Sequence, residues 1–224
     1  MGELYPDSHV EISGILARYY EIFLNLGTLG RYGNFIAGAI EDMDIDPGDE
    51  ILVLGAGTGY NASFILDYLD NQGRILGLDI SDNAIARFRQ RFDDSKNVKI
   101  EKKRIDKPLS FDSRFDKVFT SFVIHGLPHS SRTATFENVH RVLKPDGEFF
   151  VLDYGDFELA ELPFYLRIPF KLGECKYAYD YLERDWREVL EEFGFSANRN
   201  YEYFHGFARL MEAEKIKGEE NERD

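Results

Sequence analysis

Two textures of apolar residues alternate through the middle of the chain. Ile51-Leu52-Val53-Leu54 and Phe149-Phe150-Val151-Leu152 are uninterrupted apolar runs, the pattern of strands buried on both faces. Arg74–Asp79, Val98–Lys103 and Phe115–Val123 are also strand-like. Helical spacing fills the intervals: Tyr60–Leu69, a helix capped by Ser81 or Asp82 that reaches Phe92, and Thr133–Leu143. The last of these is expected to stop at Lys144-Pro145-Asp146-Gly147, because proline cannot continue a helix and glycine tolerates the turn. Strand and helix in regular alternation predict an α/β fold with a doubly wound, mostly parallel sheet.

The flanks follow other rhythms. Val10–Leu24 has helical spacing, and a second helix is expected from Arg31 to about Met43, before the turn Asp46-Pro47-Gly48-Asp49. After Asp153, residues 160–207 hold 13 of the chain's 33 aromatics, too dense for a generic surface loop. Within them a helix is expected over Asp185–Phe193, ending at Gly194, with two late strands near Ala197–Phe204 and Phe207–Ala213. Tyr177, Tyr179 and Tyr181 alternate, a spacing that suits an extended segment against a pocket.

Composition narrows the function. The chain has 224 residues, with 27 Lys and Arg against 41 Asp and Glu, a net charge of −14. That balance argues against nucleic acid or an anionic membrane as partner. A single cysteine, Cys175, excludes a disulfide framework, and with five histidines it leaves little for a metal site. No run of about 18 apolar residues exists to span a membrane, and Met1–Pro6 lacks the features of a signal peptide. The expectation is a soluble protein of the cytoplasm.

The sharpest motif is Gly55-Ala56-Gly57-Thr58-Gly59, between an expected strand and an expected helix. Glycines there let the chain turn and let a ligand lie against the main chain. A dinucleotide-binding loop needs G-x-G-x-x-G to seat pyrophosphate, but position 60 is Tyr. A ligand without phosphates suits the loop better. Asp79 ends the next strand, 20 residues after Gly59, where a carboxylate can accept from both ribose hydroxyls. An unphosphorylated adenosine with an amino-acid arm satisfies both features, which describes S-adenosylmethionine (SAM).

With those residues in view, the stretch Asp46–Tyr154 resembles the class I SAM-dependent methyltransferases. The matching pieces, in the family's order, are the glycine loop, Gly77-Leu78-Asp79-Ile80-Ser81, Phe115-Asp116-Lys117-Val118 and Arg141-Val142-Leu143-Lys144-Pro145-Asp146-Gly147. Asn25-Leu26-Gly27-Thr28-Leu29-Gly30-Arg31, Tyr177–Leu182, Gly194-Phe195 and His205-Gly206 are similar to flanks of the ubiquinone/menaquinone biosynthesis methyltransferases. The resemblance implies a Rossmann-like seven-stranded sheet with its last strand antiparallel, and SAM at the carboxyl ends of the first strands. Residues 1–213 would form one domain: an N-terminal helical cap (1–45), a SAM-binding core (46–155), and an aromatic-rich substrate lid with late strands (156–213). A charged tail (214–224) would follow.

Gly55, Ala56, Gly57, Thr58 and Gly59 would then hold the methionine end, with Asp79 and Ile80 at the ribose. The family places an acid near the adenine after its third strand. Counting back from Leu109-Ser110-Phe111 lands on Ile105 or Arg104, whereas the acid here is Asp106, so Ile105 and Asp106 are the candidates. Ser121 and His125, at the end of the fourth strand, would border the methyl group. His125 is the leading base or positioning group, with a reference pKa of ~6.5; its competing role is that of a satisfied structural histidine. Where the quinone family carries Arg-Asn, this chain has His125-Gly126. That departure leaves oxygen and nitrogen acceptors open beside a quinone-precursor carbon. Tyr19, Tyr20, Asp153, Tyr154, Tyr177 and Tyr179 are further substrate candidates. The expected partner is a small apolar or aromatic acceptor, with no metal and no nucleic acid, in a monomer or a homodimer. Two other functions fit the same residues: a non-catalytic SAM or nucleoside sensor, and, disfavoured by Tyr60, an NAD-dependent oxidoreductase.

Overall fold

The computed structural model describes residues 32–160, 167 and 175–216. The expected helix over Val10–Leu24, with Tyr19 and Tyr20, lies outside them. Helix α1 (Tyr32–Glu41) leads into β1 (Glu50–Leu54), α2 (Tyr60–Leu66), β2 (Arg74–Asp79), α3 (Asp82–Arg91), β3 (Val98–Lys102) and β4 (Phe115–Ser121). A 3₁₀ turn (Ile124–Gly126) then precedes α4 (His129–Val142) and β5 (Leu143–Tyr154). The described chain ends with α5 (Lys176–Leu182), α6 (Trp186–Glu192), β6 (Phe195–Tyr203) and β7 (Ala208–Lys215).

One seven-stranded sheet runs β3-β2-β1-β4-β5-β7-β6. Strands β1 to β5 pair in parallel, and β7 is antiparallel to both its neighbours. This is the doubly wound α/β sheet expected from the alternation, with its last strand reversed. Chain order reverses between β1 and β4, and the carboxyl ends of such strands form the crevice where ligands sit in folds of this kind.

The uninterrupted apolar runs are explained by the two cores. Leu52, Leu54, Val118, Phe149 and Val151 point into the core shared with α4, α5 and α6. Ile51, Val53, Phe119, Phe150 and Leu152 point into the core beneath α1, α2 and α3. Neither face meets water, so neither register of the strand can be polar. Ser81 caps α3 by accepting from the Ala84 amide at 3.4 Å, and Asp185 caps α6.

Two elements differ from their sequence expectations. Helix α4 begins at His129, four residues ahead of Thr133, because the Pro128 carbonyl accepts from both Ser131 and Arg132. It also ends at Val142: Leu143 is already extended and pairs with Phe115, so Lys144–Gly147 belong to β5. The register shift between Phe115 and Lys117 falls opposite this segment, an irregularity suited to Pro145, which has no amide hydrogen for a ladder. The second difference is Tyr177–Tyr181, which is helix α5 rather than an extended segment. Only Tyr181 of the three tyrosines is buried, stacked on Trp186 with centroids 4.3 Å apart, while Tyr177 and Tyr179 occupy the half-buried flanks. Alternation there marks three sides of one helix, covered unequally.

Candidate active site

The glycine loop leaves β1 at its carboxyl end, and its three glycines have separate duties. A Cβ on Gly55 would lie 2.4 Å from Val123 Cγ2, and one on Gly59 2.6 Å from Phe92 Cε2. Both therefore serve close packing. Gly57 is different: it has φ +54 and a Cβ there would meet nothing within 4 Å. The main chain at Gly57 thus borders open space, as a loop meant for direct ligand contact requires. The Tyr60 that departs from the dinucleotide pattern stacks on Tyr32 with centroids 5.7 Å apart, and the Arg91 guanidinium lies over it at 5.7 Å. Arg91 also donates to the Thr58 carbonyl at 3.1 Å. A side chain that clamps the helix to α1 replaces the glycine that would admit a pyrophosphate.

Asp79 ends β2 beside this loop. Its carboxylate accepts from the Gly57 amide at 2.7 Å and the Ser81 amide at 2.8 Å. Burial pushes its pKa up, against the pull of backbone bonds from Ser81, Gly57 and Ile80. Two carboxylate oxygens offer about four acceptor positions, so these amide bonds leave acceptor capacity for hydroxyls. Ile80 packs half-buried on the adjacent core. Ala56 is buried, and its amide donates to Leu78 O, which fixes the loop to β2.

After β3, Ile105 is buried and its carbonyl accepts from Asn138 at 2.8 Å. Asp106 has a second set of partners: Arg104 donates to both its oxygens at 2.9 and 2.7 Å, and Ser131 Oγ donates at 2.9 Å. The carboxylate therefore also ties the β3 loop to the first turn of α4.

The end of β4 carries the acid–base geometry. Ser121 pairs with Leu152 of β5. Phe122 follows with φ +52, a left-handed conformation rare for a bulky side chain and a mark of stored strain. His125, in the 3₁₀ turn, places Nδ1 2.6 Å from Asp153 Oδ1, and its amide donates to Asp153 Oδ2 at 3.2 Å. The Asp153 side chain is fully buried and also accepts from the Tyr154 amide at 2.9 Å. A carboxylate so placed receives an Nδ1 proton, which makes Nε2 the basic nitrogen of the ring. Tyr154 lies 4.7 Å from the His125 ring, Phe122 6.5 Å and Tyr181 6.4 Å, all between centroids. The sequence presented His125 and Asp153 as separate candidates; the fold joins them. Tyr177 and Tyr179 reach this neighbourhood through α5, where the Tyr177 carbonyl accepts from Arg132 at 2.6 Å.

Arg209, which sequence reasoning passed over, and Tyr181, which it named only among three alternating tyrosines, stand beside the pair. Arg209 on β7 is the register partner of Asp153, and Tyr181 faces the same core. The visible signal of Arg209 was a charge inside the apolar stretch Phe207–Met211.

A methyltransferase-domain family model matches residues 51–147. An uncharacterized methyltransferase of Synechocystis sp. is 27% identical over 87% of this chain and 90% of its own length. The demethylmenaquinone methyltransferase of Beutenbergia cavernae is 27% identical over 87% of this chain and 82% of its own. The chain is a class I SAM-dependent methyltransferase. It resembles the ubiquinone/menaquinone biosynthesis methyltransferases, and its cofactor is SAM rather than a nicotinamide dinucleotide. The fold agrees with that of a SAM-dependent methyltransferase from Aquifex aeolicus, with TM-score 0.62 and 18% identity over 81% of this chain and 89% of the other. The open main chain at Gly57 and the acceptor capacity of Asp79 fit the methyltransferase's cofactor. No described helix is long and apolar enough to cross a membrane.

Proposed function

We propose that the enzyme methylates a small aromatic or otherwise apolar acceptor, with His125 as the base and Asp153 as its positioning residue. The His125–Asp153 contact of 2.6 Å carries this reading. When bound, SAM supplies an electrophilic methyl group on sulfur. The protein's tasks are to align the acceptor, exclude water and take a proton where the acceptor arrives protonated. Asp153 holds the imidazole in one tautomer, Nε2 accepts the acceptor's proton, and the rings of Phe122, Tyr154, Phe157 and Phe207 form the apolar wall. The Beutenbergia relative, a demethylmenaquinone methyltransferase, favours a quinone precursor as the acceptor. His125-Gly126 in place of Arg-Asn keeps oxygen and nitrogen acceptors in the panel. Release of S-adenosylhomocysteine (SAH) over quinone precursors, phenols and amines tests the reading. Binding of SAM and SAH with no turnover on any acceptor would support a sensor instead.

For the cofactor, we propose that Gly57 and Asp79 make the decisive contacts, with Gly55, Ala56, Thr58, Gly59, Ile80, Ile105, Asp106 and Ser121 around them. Asp79→Ala should weaken SAH binding by about 10–100-fold, the loss of one or two hydrogen bonds to a charged acceptor; calorimetry reads it directly. Gly57→Val and Gly59→Val should separate ligand space from packing. Both strain a left-handed backbone, at φ +54 and +82, but only the second adds a clash with Phe88 and Phe92, so Gly59→Val should lose the more thermal stability while Gly57→Val loses SAH affinity.

A further inference from the structure

We propose that Arg209 and Tyr181 form a receptor for an ionised oxygen of the methyl acceptor, held beside the His125–Asp153 pair. This rests on the acceptor site proposed above and adds a chemical class to it: an enolate, phenolate or carboxylate on an otherwise apolar body.

Three buried polar atoms in this neighbourhood make no hydrogen bond of ordinary geometry: Arg209 Nε, Arg209 Nη2 and the Tyr181 hydroxyl, the guanidinium and the phenol being close enough for no more than a weak mutual contact. Arg209 is 7% exposed and Tyr181 1%. Arg209 uses only Nη1, which donates to the exposed Asp156 carboxylate at 2.5 Å. Leaving such groups unmet in a core costs free energy, so buried donors of this kind call for an explanation.

The site's own acceptors do not supply one. Both oxygens of Asp153 are engaged, one by His125 Nδ1 and the Tyr154 amide, the other by the His125 amide. Arg209 sits opposite Asp153 in the ladder, near the start of β7, so its side chain shares the sheet face and the carboxyl edge with the pair. Tyr181 descends from α5, with the fully buried Arg132 guanidinium 5.6 Å from its ring. Two guanidiniums therefore flank one phenol. Burial and the Asp153 charge push the Tyr181 pKa well up, while Arg209 and Arg132 oppose this. The phenol keeps its proton and remains a donor. An excess of donors under positive potential suits an oxygen bearing negative charge.

The test uses the full-length protein, with and without SAH, and three probes: lawsone (a hydroxynaphthoquinone ionised at neutral pH), its neutral methyl ether, and naphthoate. Calorimetry should show lawsone or naphthoate binding at least about tenfold tighter than the ether, the margin expected of a charge-assisted contact. A stronger response to lawsone assigns an enolate or phenolate; a stronger response to naphthoate assigns a carboxylate. The preference should vanish in Tyr181→Phe and Arg209→Gln, with SAH affinity unchanged. The melting temperature of unliganded Tyr181→Phe should hold or rise, since the hydroxyl it deletes makes no hydrogen bond of ordinary geometry. Equal binding of ionised and neutral probes, no binding of either ionised probe, persistence of the preference in both variants, or a clear fall in melting temperature for Tyr181→Phe would overturn the receptor. Failure of the unmodified protein to bind SAH would instead strike at the cofactor contacts, and the probe comparison without SAH still decides the receptor.

Discussion

Replacing His125 with glutamine is expected to lower turnover by about 10²–10⁴-fold, the usual contribution of a positioned acid–base group, while leaving SAH affinity unchanged. As the proposed base, His125 acts through its neutral imidazole, so wild-type activity should fall on the acid side of the pH profile. His125→Gln should abolish that acid limb. Asp153→Asn should give a smaller loss and a displaced limb, because an amide can hold the ring without favouring the tautomer that leaves Nε2 basic. A structural histidine would behave otherwise, losing stability and activity together with an unaltered pH profile. SAH-release assays across pH, with melting curves on the same samples, separate the two roles. A variant that keeps wild-type turnover would refute the assignment.

What could be read from the sequence follows the range of the forces involved. Strands covered on both faces must be apolar throughout, so Ile51–Leu54 and Phe149–Leu152 announced themselves without any knowledge of their neighbours. Gly57 and Asp79 were legible as candidates for a related reason: an open stretch of left-handed main chain suits glycine, and the next strand's end lies at a nearly constant distance along the chain. The His125–Asp153 pair is 28 residues apart. It exists only because β4 and β5 run side by side in the register Ser121↔Leu152. Arg209 was less legible still. Its pairing with Asp153 depends on the reversed direction of β7, and a charged residue in an alternating strand ordinarily faces water. Helix α5 was missed because three tyrosines at alternate positions imitate strand periodicity; α5 is set by the Tyr181–Trp186 stack and by Arg132 beneath it.

Arg132 explains how the 3₁₀ turn bearing His125 keeps its shape, and its replacement should have the largest effect on stability. Its side chain is wholly buried. Nε donates to the Ile124 carbonyl at 2.9 Å, Nη2 to His125 O at 2.9 Å and to Tyr177 O at 2.6 Å, and Nη1 to Asp180 at 2.6 Å. One planar group thus joins the 3₁₀ turn bearing His125 to the helix bearing Tyr181. Burial pushes the guanidinium's pKa down, and Asp180 opposes this. Arg132→Met would leave three carbonyls without their donor and relax the turn, a loss of about 3–5 kcal/mol from roughly 1–3 kcal/mol for each acceptor left unmet. For a chain of this size that corresponds to a fall in melting temperature on the order of 10 °C. Lys in place of Arg should recover part of it, since one ammonium cannot span all four acceptors. The pH dependence gives an independent check. Arg184, then Arg132, hold the Asp180 carboxyl below its ordinary value of 3.8. The stability this confers is present above that value and lost as pH falls through the lowered one. In Arg132→Met the acid-side loss should shrink, with Arg184 alone remaining on Asp180. Equal acid sensitivity in variant and wild type would show that Arg132 contributes nothing through that carboxylate.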